Sequence, residues 1–424
     1  MMWEYFSDKS ILITGGTGFL GTALVLRLSL QAHPKHIYLL CRGGKTRAIQ
    51  KWREFLPGPL ATTLISSESI TYLDGNIKYP SLGLADTSLV TLKKEAEIII
   101  HAASSINLVD PLGKLSQSII GATERLAHIA LECPHLQRFV YISTAFANSH
   151  LYAESRAVDI PIREELYPLS SIPTATSWKD VQNRGSSEEY EANEFPWDYA
   201  YAKHLSERVL AEAFDNAQAY DKLLIIRPSI FGPAQSFPYA GYSVPLSTPL
   251  TALAAMVAIT PSVWFKAATR ARDPDIEVTA DEVPVDVVVD RLLFHLRHGS
   301  TGYVHAVCGE RGRYRFKDLW EDGMAIRKLP WRPRVVWLDV DWHSSQLHYI
   351  TRFYVLFGPS FNFSEDRTTE LWDRVPESER QGLNVYKDYN KGFDLRARIR
   401  DIRYCARALA SHFGFPSWVG KLLL

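Results

Sequence analysis

Tyr199 and Lys203 stand at i and i+4 in the segment Tyr199-Ala-Tyr-Ala-Lys203. On a helix this spacing puts a phenol and an ammonium on one face. Free in water, both groups titrate near pH 10. A cation held beside the phenol favours phenolate and lowers its pKa toward the working pH. Such a tyrosine can give a proton to a carbonyl oxygen as hydride reaches the carbon. Tyr201 is only two residues from Lys203 and points elsewhere. Thr144, just past the predicted strand Arg138-Phe-Val-Tyr-Ile-Ser143, is the natural third member. Its hydroxyl could hold the substrate oxygen in line with Tyr199. Alternation sends Ser143, the competing hydroxyl, to the opposite face. Taken alone, these residues also fit a surface helix and a strand-end cap.

The elements that would position them begin with Ile11-Leu-Ile-Thr14-Gly15-Gly16-Thr17-Gly18-Phe19-Leu20-Gly21. The aliphatic run suits a buried parallel strand. The glycine-rich turn then enters an apolar helix, leaving backbone N–H groups free to face a pyrophosphate at the positive end of the helix dipole. Gly15 permits the turn, Gly18 lets phosphate approach, and Gly21 lets helix and strand pack closely. A second strand, His36 to Cys41, ends at Arg42 with Lys45 and Arg47 behind it. An acid there would bind the ribose hydroxyls of NAD, whereas arginine suits the 2′-phosphate of NADP. A third strand, Ser69 to Asp74, runs into Gly75-Asn76-Ile77, where a side-chain amide could read the adenine edge. A fourth, Ala96 to His101, runs into Ala102 and Ala103, small enough to leave room for a cofactor. A helix is predicted from about Ser118 to Glu132, another from Tyr199 to Ala219, and a strand from Lys222 to Pro228. Strand–helix alternation of this kind predicts a Rossmann-type, doubly wound parallel sheet in the α/β class, with ligands at the C-terminal strand ends.

The chain has 424 residues, too many for one small core. Lys+Arg and Asp+Glu are both 47, so net charge gives no argument for nucleic acid. The four cysteines lack metal-ligand or C-x-x-C spacing, and no metal is expected. The cysteines suit a reducing compartment. No signal peptide is visible, and no apolar run nears the roughly 18 residues needed to cross a bilayer. A cytoplasmic location is therefore expected, with peripheral contact to a membrane left open. Residues 150–197 are polar and Pro-rich and read as an irregular insertion over the site. Val283 to Leu296 reads as a helix. Beyond about Arg332 the alternation stops. The expected division is residues 1–330 for the nucleotide-binding domain and 331–424 for a smaller, mainly helical domain.

TGGTGFLG, S-T-A after the fifth strand, Y-x-x-x-K and Arg227-Pro228-Ser229-Ile230 together resemble the extended short-chain dehydrogenase/reductases. In finer detail the chain resembles the fatty acyl-CoA reductases of the male-sterility type. Tyr38-Leu-Leu-Cys-Arg42, Gly75-Asn-Ile-Lys-Tyr-Pro-Ser-Leu-Gly-Leu84, Val140-Tyr-Ile-Ser-Thr-Ala-Phe-Ala-Asn148 and Val283-Pro-Val-Asp-Val-Val-Val289 follow in family order. The resemblance implies reduction of an acyl thioester with NADPH, to an aldehyde or onward to the primary alcohol. It implies Tyr199 as proton donor, Lys203 on the nicotinamide ribose, and Thr144 orienting the carbonyl. Gly15, Thr17, Gly18, Phe19, Leu20, Gly21, Arg42, Asn76, Ile77, Ala102, Ala103, Pro228, Ser229 and Ile230 would line the cofactor.

Departures from the family pattern are Asn76 in place of Asp, Ser118 in place of Asn, and Tyr242 in place of Trp. Acyl-CoA and acyl carrier protein both remain possible carriers. A nucleotide-sugar enzyme of the same fold and a non-catalytic NADP-binding regulator are the rival readings. Phe231 to Leu253, with Trp331, Trp337, Phe353, Tyr354 and Phe357, is expected to line an acyl channel, the alternative being that these C-terminal aromatics form their own domain's core.

Overall fold

The computed structural model describes residues 2–108, 110–152, 158–353, 358–388 and 395–412. Seven strands form the central sheet: β1 (Ser10–Thr14), β2 (His36–Cys41), β3 (Ile70–Asp74), β4 (Ile98–His101), β5 (Arg138–Ile142), β6 (Leu223–Pro228) and β7 (Gly302–Ala306). Their order is β7-β6-β5-β4-β1-β2-β3, and every pairing is parallel. β1, β5 and β6 are buried along their whole length. This is why Ile11-Leu-Ile and Leu223-Leu-Ile-Ile read as continuous apolar runs rather than alternating ones. Strand order reverses between β1 and β4, and the glycine-rich turn lies at that switch point.

Helices flank the sheet. Those that matter here are α1 (Phe19–Gln31), α2 (Leu112–Leu131), α3 (Asp198–Asn216), α4 (Pro249–Ile259), α5 (Val285–Arg297) and α6 (Leu395–His412). α2 starts at Leu112 rather than near Ser118. The reason is remote in sequence: a carboxylate oxygen of Asp198 accepts from Leu112 N at 2.6 Å, satisfying a donor that a helix start leaves free.

Residues 150–197 are more regular than expected. They contain a strand, Asp159–Ile162, and helices Thr174–Arg184 and Glu188–Ala192. The strand exists because Ser360–Phe363 pairs with it, and no local pattern shows a partner so far along the chain. The last helix is capped by Ser187, whose hydroxyl accepts from Tyr190 N at 3.1 Å. Its buried Glu189 meets the Arg208 guanidinium of α3 at 2.6 Å.

Residues after 330 contribute helices and also two strands. Arg334–Leu338 pairs with Trp264–Ala268, and Ser360–Phe363 with Asp159–Ile162. Ion pairs tie the same stretch to residues before 330: buried Arg291 to half-buried Glu365 at 2.5 Å, and buried Arg398 to Glu282, bidentate at 2.7 and 2.5 Å.

Candidate active site

In the turn after β1, Gly15 and Gly21 stand where the backbone leaves no room for a side chain. Gly15 has φ +76°, and a Cβ there would meet Ala103 N at 2.7 Å. A Cβ on Gly21 would sit 2.1 Å from Gly15 O, so helix and turn touch backbone to backbone. Gly18 is exposed, and only Gly15 O, at 3.2 Å, lies within 4 Å of where its Cβ would be. No side chain caps α1. The first-turn N–H groups of Phe19 and Leu20 are thus of the kind that bind an anion. Thr17 is half-buried, its hydroxyl 4.0 Å from Cys41 Sγ.

Ala102 and Ala103 lie against this turn, held by Thr14. Ala102 N donates to Thr14 O at 3.2 Å and Ala103 N to Thr14 Oγ1 at 3.1 Å. The same hydroxyl lies 2.8 Å from His101 Nδ1, and His101 Nε2 lies 3.3 Å from Thr123 Oγ1. Full burial pushes His101 down to about 3, so it stays neutral. This Thr14–His101–Thr123 chain braces the strand end and was not singled out from sequence. Its only signal is a histidine ending an all-aliphatic strand.

The three groups proposed for chemistry come from β5 and α3. Thr144 follows β5 directly. Its hydroxyl accepts from Phe146 N at 3.3 Å, capping a short 3-10 turn, and donates to Pro228 O at 3.4 Å. Ser143 is buried with an unpartnered hydroxyl, separate from this arrangement. Tyr199 is half-buried in the first turn of α3. It packs on an apolar cluster that includes Phe146, Leu250 and Phe361. Lys203, one turn on, is 1% exposed. Its ammonium donates to Ile142 O at 2.8 Å and lies 4.6 Å from the Tyr141 ring centroid and 5.9 Å from that of Tyr199. Tyr201 does point elsewhere, its hydroxyl 2.6 Å from Ser187 Oγ.

One electrostatic expectation is reversed. Burial raises the Tyr199 pKa above the ordinary phenol value. The same burial, only partly offset by Glu207, pushes Lys203 down to about 7. Near neutral pH the lysine is therefore half neutral, and the phenol stays protonated. A protonated phenol is the form that can donate a proton.

Past the tip of β2, Arg42 is exposed, with no carboxylate at ion-pair distance among the described residues. Asp74, at the tip of β3, accepts from Gly43 N at 2.8 Å and shapes the loop that carries Arg42. Asn76 is half-buried, and its side-chain oxygen is turned back onto Lys78 N at 3.1 Å. Ile77 is half-buried, its carbonyl accepting from Arg125 Nε at 3.3 Å. Pro228 and Ile230 are buried, and the Ser229 hydroxyl donates to Asp281. Asp281 also takes Cys308 N and Gly309 N, so it locks this strand end and leaves less of Ser229 free for a ligand.

Of the residues named for an acyl channel, Leu250 and Leu253 lie in the apolar cluster around Tyr199, and the loop aromatics lie elsewhere. Phe231, Phe237, Tyr239 and Tyr242 pack into the core around α1. Tyr242 donates to Phe19 O at 3.2 Å, with its ring 5.4 Å from that of Phe19. Trp337 packs on Phe316 at 5.3 Å. Trp331 is exposed at the surface. Tyr354 and Phe357, and the side chain of Phe353, lie outside the described residues. The nucleotide turn needs an apolar cover, and the loop aromatics supply it.

Among the described residues no helix is long and apolar enough to cross a membrane, and no cluster could hold a metal ion.

The model of the male sterility protein family, an NAD-binding domain, matches residues 13–292. Fatty acyl-CoA reductase 2 of Mus musculus is 28% identical over 308 residues, covering 68% of this chain and 55% of the relative. Fatty acyl-CoA reductase 1 of Homo sapiens is 28% identical over 303 residues, with coverages of 68% and 55%. The chain spans about half the length of these curated relatives. In fold it is similar to the terminal R domain of the myxalamid PKS-NRPS pathway, with TM-score 0.59 and 19% identity over 97% of this chain and 92% of that one. It is also similar to epimerase Mth375 of Methanothermobacter thermautotrophicus, with TM-score 0.55 and 14% identity over 96% and 97%. Both likenesses support the parallel sheet. The family match takes in the glycine-rich turn, Thr144, Tyr199 and Lys203 and spans well over half of the chain, which therefore belongs to the NAD-binding male sterility protein family.

Proposed function

We propose that the protein is an oxidoreductase that reduces a long-chain acyl thioester with NADPH, first to the aldehyde. The observation that carries this is a half-buried Tyr199 in an apolar cluster, one helical turn from Lys203. The relatives named fatty acyl-CoA reductase support the substrate class.

When bound, NADPH would supply hydride to the thioester carbon. The chain's own residues do the rest. The first turn of α1 takes the pyrophosphate, and Arg42 takes the 2′-phosphate. Tyr199 donates its phenolic proton to the substrate oxygen as negative charge develops there, and the hemithioacetal so formed breaks its C–S bond, passing its hydroxyl proton to the departing thiolate and leaving aldehyde and free thiol. Thr144, fixed by Phe146 N and Pro228 O, orients that oxygen. Lys203, one helical turn from Tyr199 and held by Ile142 O, would hold the nicotinamide ribose. Residues 331–424 we take as the substrate-side unit.

The apolar surroundings of Tyr199 favour a lipid chain over a sugar diphosphate, which needs polar contacts. The test is product analysis by mass spectrometry over a panel of acyl-CoA lengths, with acyl carrier protein as a second arm. Aldehyde or alcohol formed in step with NADPH loss is the expected result. No reduction of any thioester, together with turnover of a nucleotide sugar, would overturn the proposal.

A further inference from the structure

Three exposed aromatics, Trp264, Trp331 and Tyr349, gather around one two-stranded pair. The parallel pair Trp264–Ala268 and Arg334–Leu338 buries one side and leaves the other in solvent. On the buried side Phe265 packs on Trp320 and Trp337 on Phe316, each at 5.3 Å. Alternation puts Trp264 beside Arg334, and Lys266 beside Val336, on the open side. Trp264 is 52% exposed. Trp331, in the turn entering the second strand, is 38% exposed, and Tyr349 is 51% exposed. Tyr349 opens the short helix Tyr349–Phe353, which also carries the exposed Arg352. That helix is tied to the strand through Lys266 O, which accepts from His348 N at 2.9 Å and from Thr351 Oγ1 at 2.6 Å. Among the described residues, none of Lys266, Arg334 and Arg352 has a carboxylate within ion-pair distance.

We propose that this face seats the protein on an anionic lipid bilayer. Tryptophan and tyrosine rings sit at headgroup depth, with an apolar body below and a polar edge above. Cations interleaved with them meet the anionic headgroups. A second copy of the chain does not fit as well, because a two-fold contact would bring these three cations against their own copies. Ala268, at the other end of the exposed strand, packs against the same apolar cluster as Tyr199. Four strand steps span about 13 Å. A substrate dissolved in the bilayer would thus be supplied close to the site. That consequence rests on the proposed reaction, whereas binding to the bilayer does not.

The experiment is co-sedimentation of the full chain with vesicles of phosphatidylcholine alone and of phosphatidylcholine mixed with phosphatidylserine, at low and high salt. The protein should pellet with the mixed vesicles, and less so at high salt. Lys266→Glu with Arg334→Glu should weaken vesicle affinity roughly thirtyfold or more. Trp264→Ser with Trp331→Ser should remove the binding that survives high salt. Lys35→Glu with Arg53→Glu, exposed elsewhere, should leave binding unchanged. Unchanged thermal melts would show that the patch variants fold. Three results would overturn the proposal. The protein could stay in solution with every vesicle, or the patch variants could bind as the unmutated chain does. The third is a dimer in solution that Trp264→Ser dissociates.

Discussion

A buried ammonium is tolerated only where acceptors replace its water, or where it gives up its proton. Lys203 has one backbone carbonyl and the faces of two tyrosine rings, and its pKa falls to about 7. An unfolded lysine titrates near 10.4. Between those values the unfolded chain holds more protons than the folded one, so stability rises with pH across that window. Lys203→Met removes this dependence. In urea unfolding, the stability difference between Lys203→Met and the unmutated protein should move in favour of the latter as pH rises from 7 toward 10. The slope should approach about 1.4 kcal/mol per pH unit. A difference that stays flat over that range would show that the lysine keeps its proton. Arg42 carries the other prediction at this scale. One charge-assisted contact is worth about 1.5–3 kcal/mol. Arg42→Ala should therefore shrink a preference for NADPH over NADH by about ten- to a hundredfold and leave NADH use intact. Equal use of both cofactors by the unmutated protein would refute the assignment.

At the scale of the element, the glycines of the first turn separate folding from binding. Gly21→Ala drives a Cβ onto the Gly15 carbonyl at 2.1 Å, a backbone clash with no flexible partner to yield. A loss of at least about 2–3 kcal/mol is expected, read as a lowered Tm. Gly18→Ala meets little and keeps an ordinary φ of −85°, so Tm should hardly move. Its methyl would project toward the pyrophosphate, and dinucleotide affinity should fall. Equal melting temperatures for the two variants would contradict this division. These roles were legible in the sequence because a strand, a glycine turn and a helix are contiguous there. Other elements were not. The start of α2 depends on Asp198, and the strand Asp159–Ile162 depends on Ser360–Phe363. Neither partner is within reach of a local pattern. The Tyr199 pKa was misjudged for a similar reason: spacing shows that Lys203 is near, but not how far each group is withdrawn from water.

Across the whole molecule, the described residues after 330 are woven into the rest by strand pairs and ion pairs. A chain cut after Lys328 would lose both strand partners and the carboxylate on Arg291, so it would not report on substrate alone. Point variants are cleaner. Glu282→Ala leaves the Arg398 guanidinium without its bidentate carboxylate in a buried setting, and should cost about 3–5 kcal/mol. Denaturant unfolding that shows a loss under about 1 kcal/mol would mean that this pair does not clamp α6 to the residues before 330. The parallel, doubly wound sheet was readable from strand–helix alternation, though not its strand order. The use made of the aromatic loop was not, since Phe231 and Tyr242 are apolar enough for either a channel or a core.

The central claim is that Tyr199 gives the proton during reduction of an acyl thioester. Its most direct test compares the unmutated protein with Tyr199→Phe, following loss of NADPH absorbance with a long-chain acyl-CoA, with dinucleotide affinity measured alongside. The phenylalanine keeps the ring in its apolar cluster and removes only the hydroxyl. General acid catalysis is worth about 10²- to 10⁴-fold, so turnover should fall by that much while NADPH binding survives. Turnover within about twofold of the unmutated protein would contradict the account.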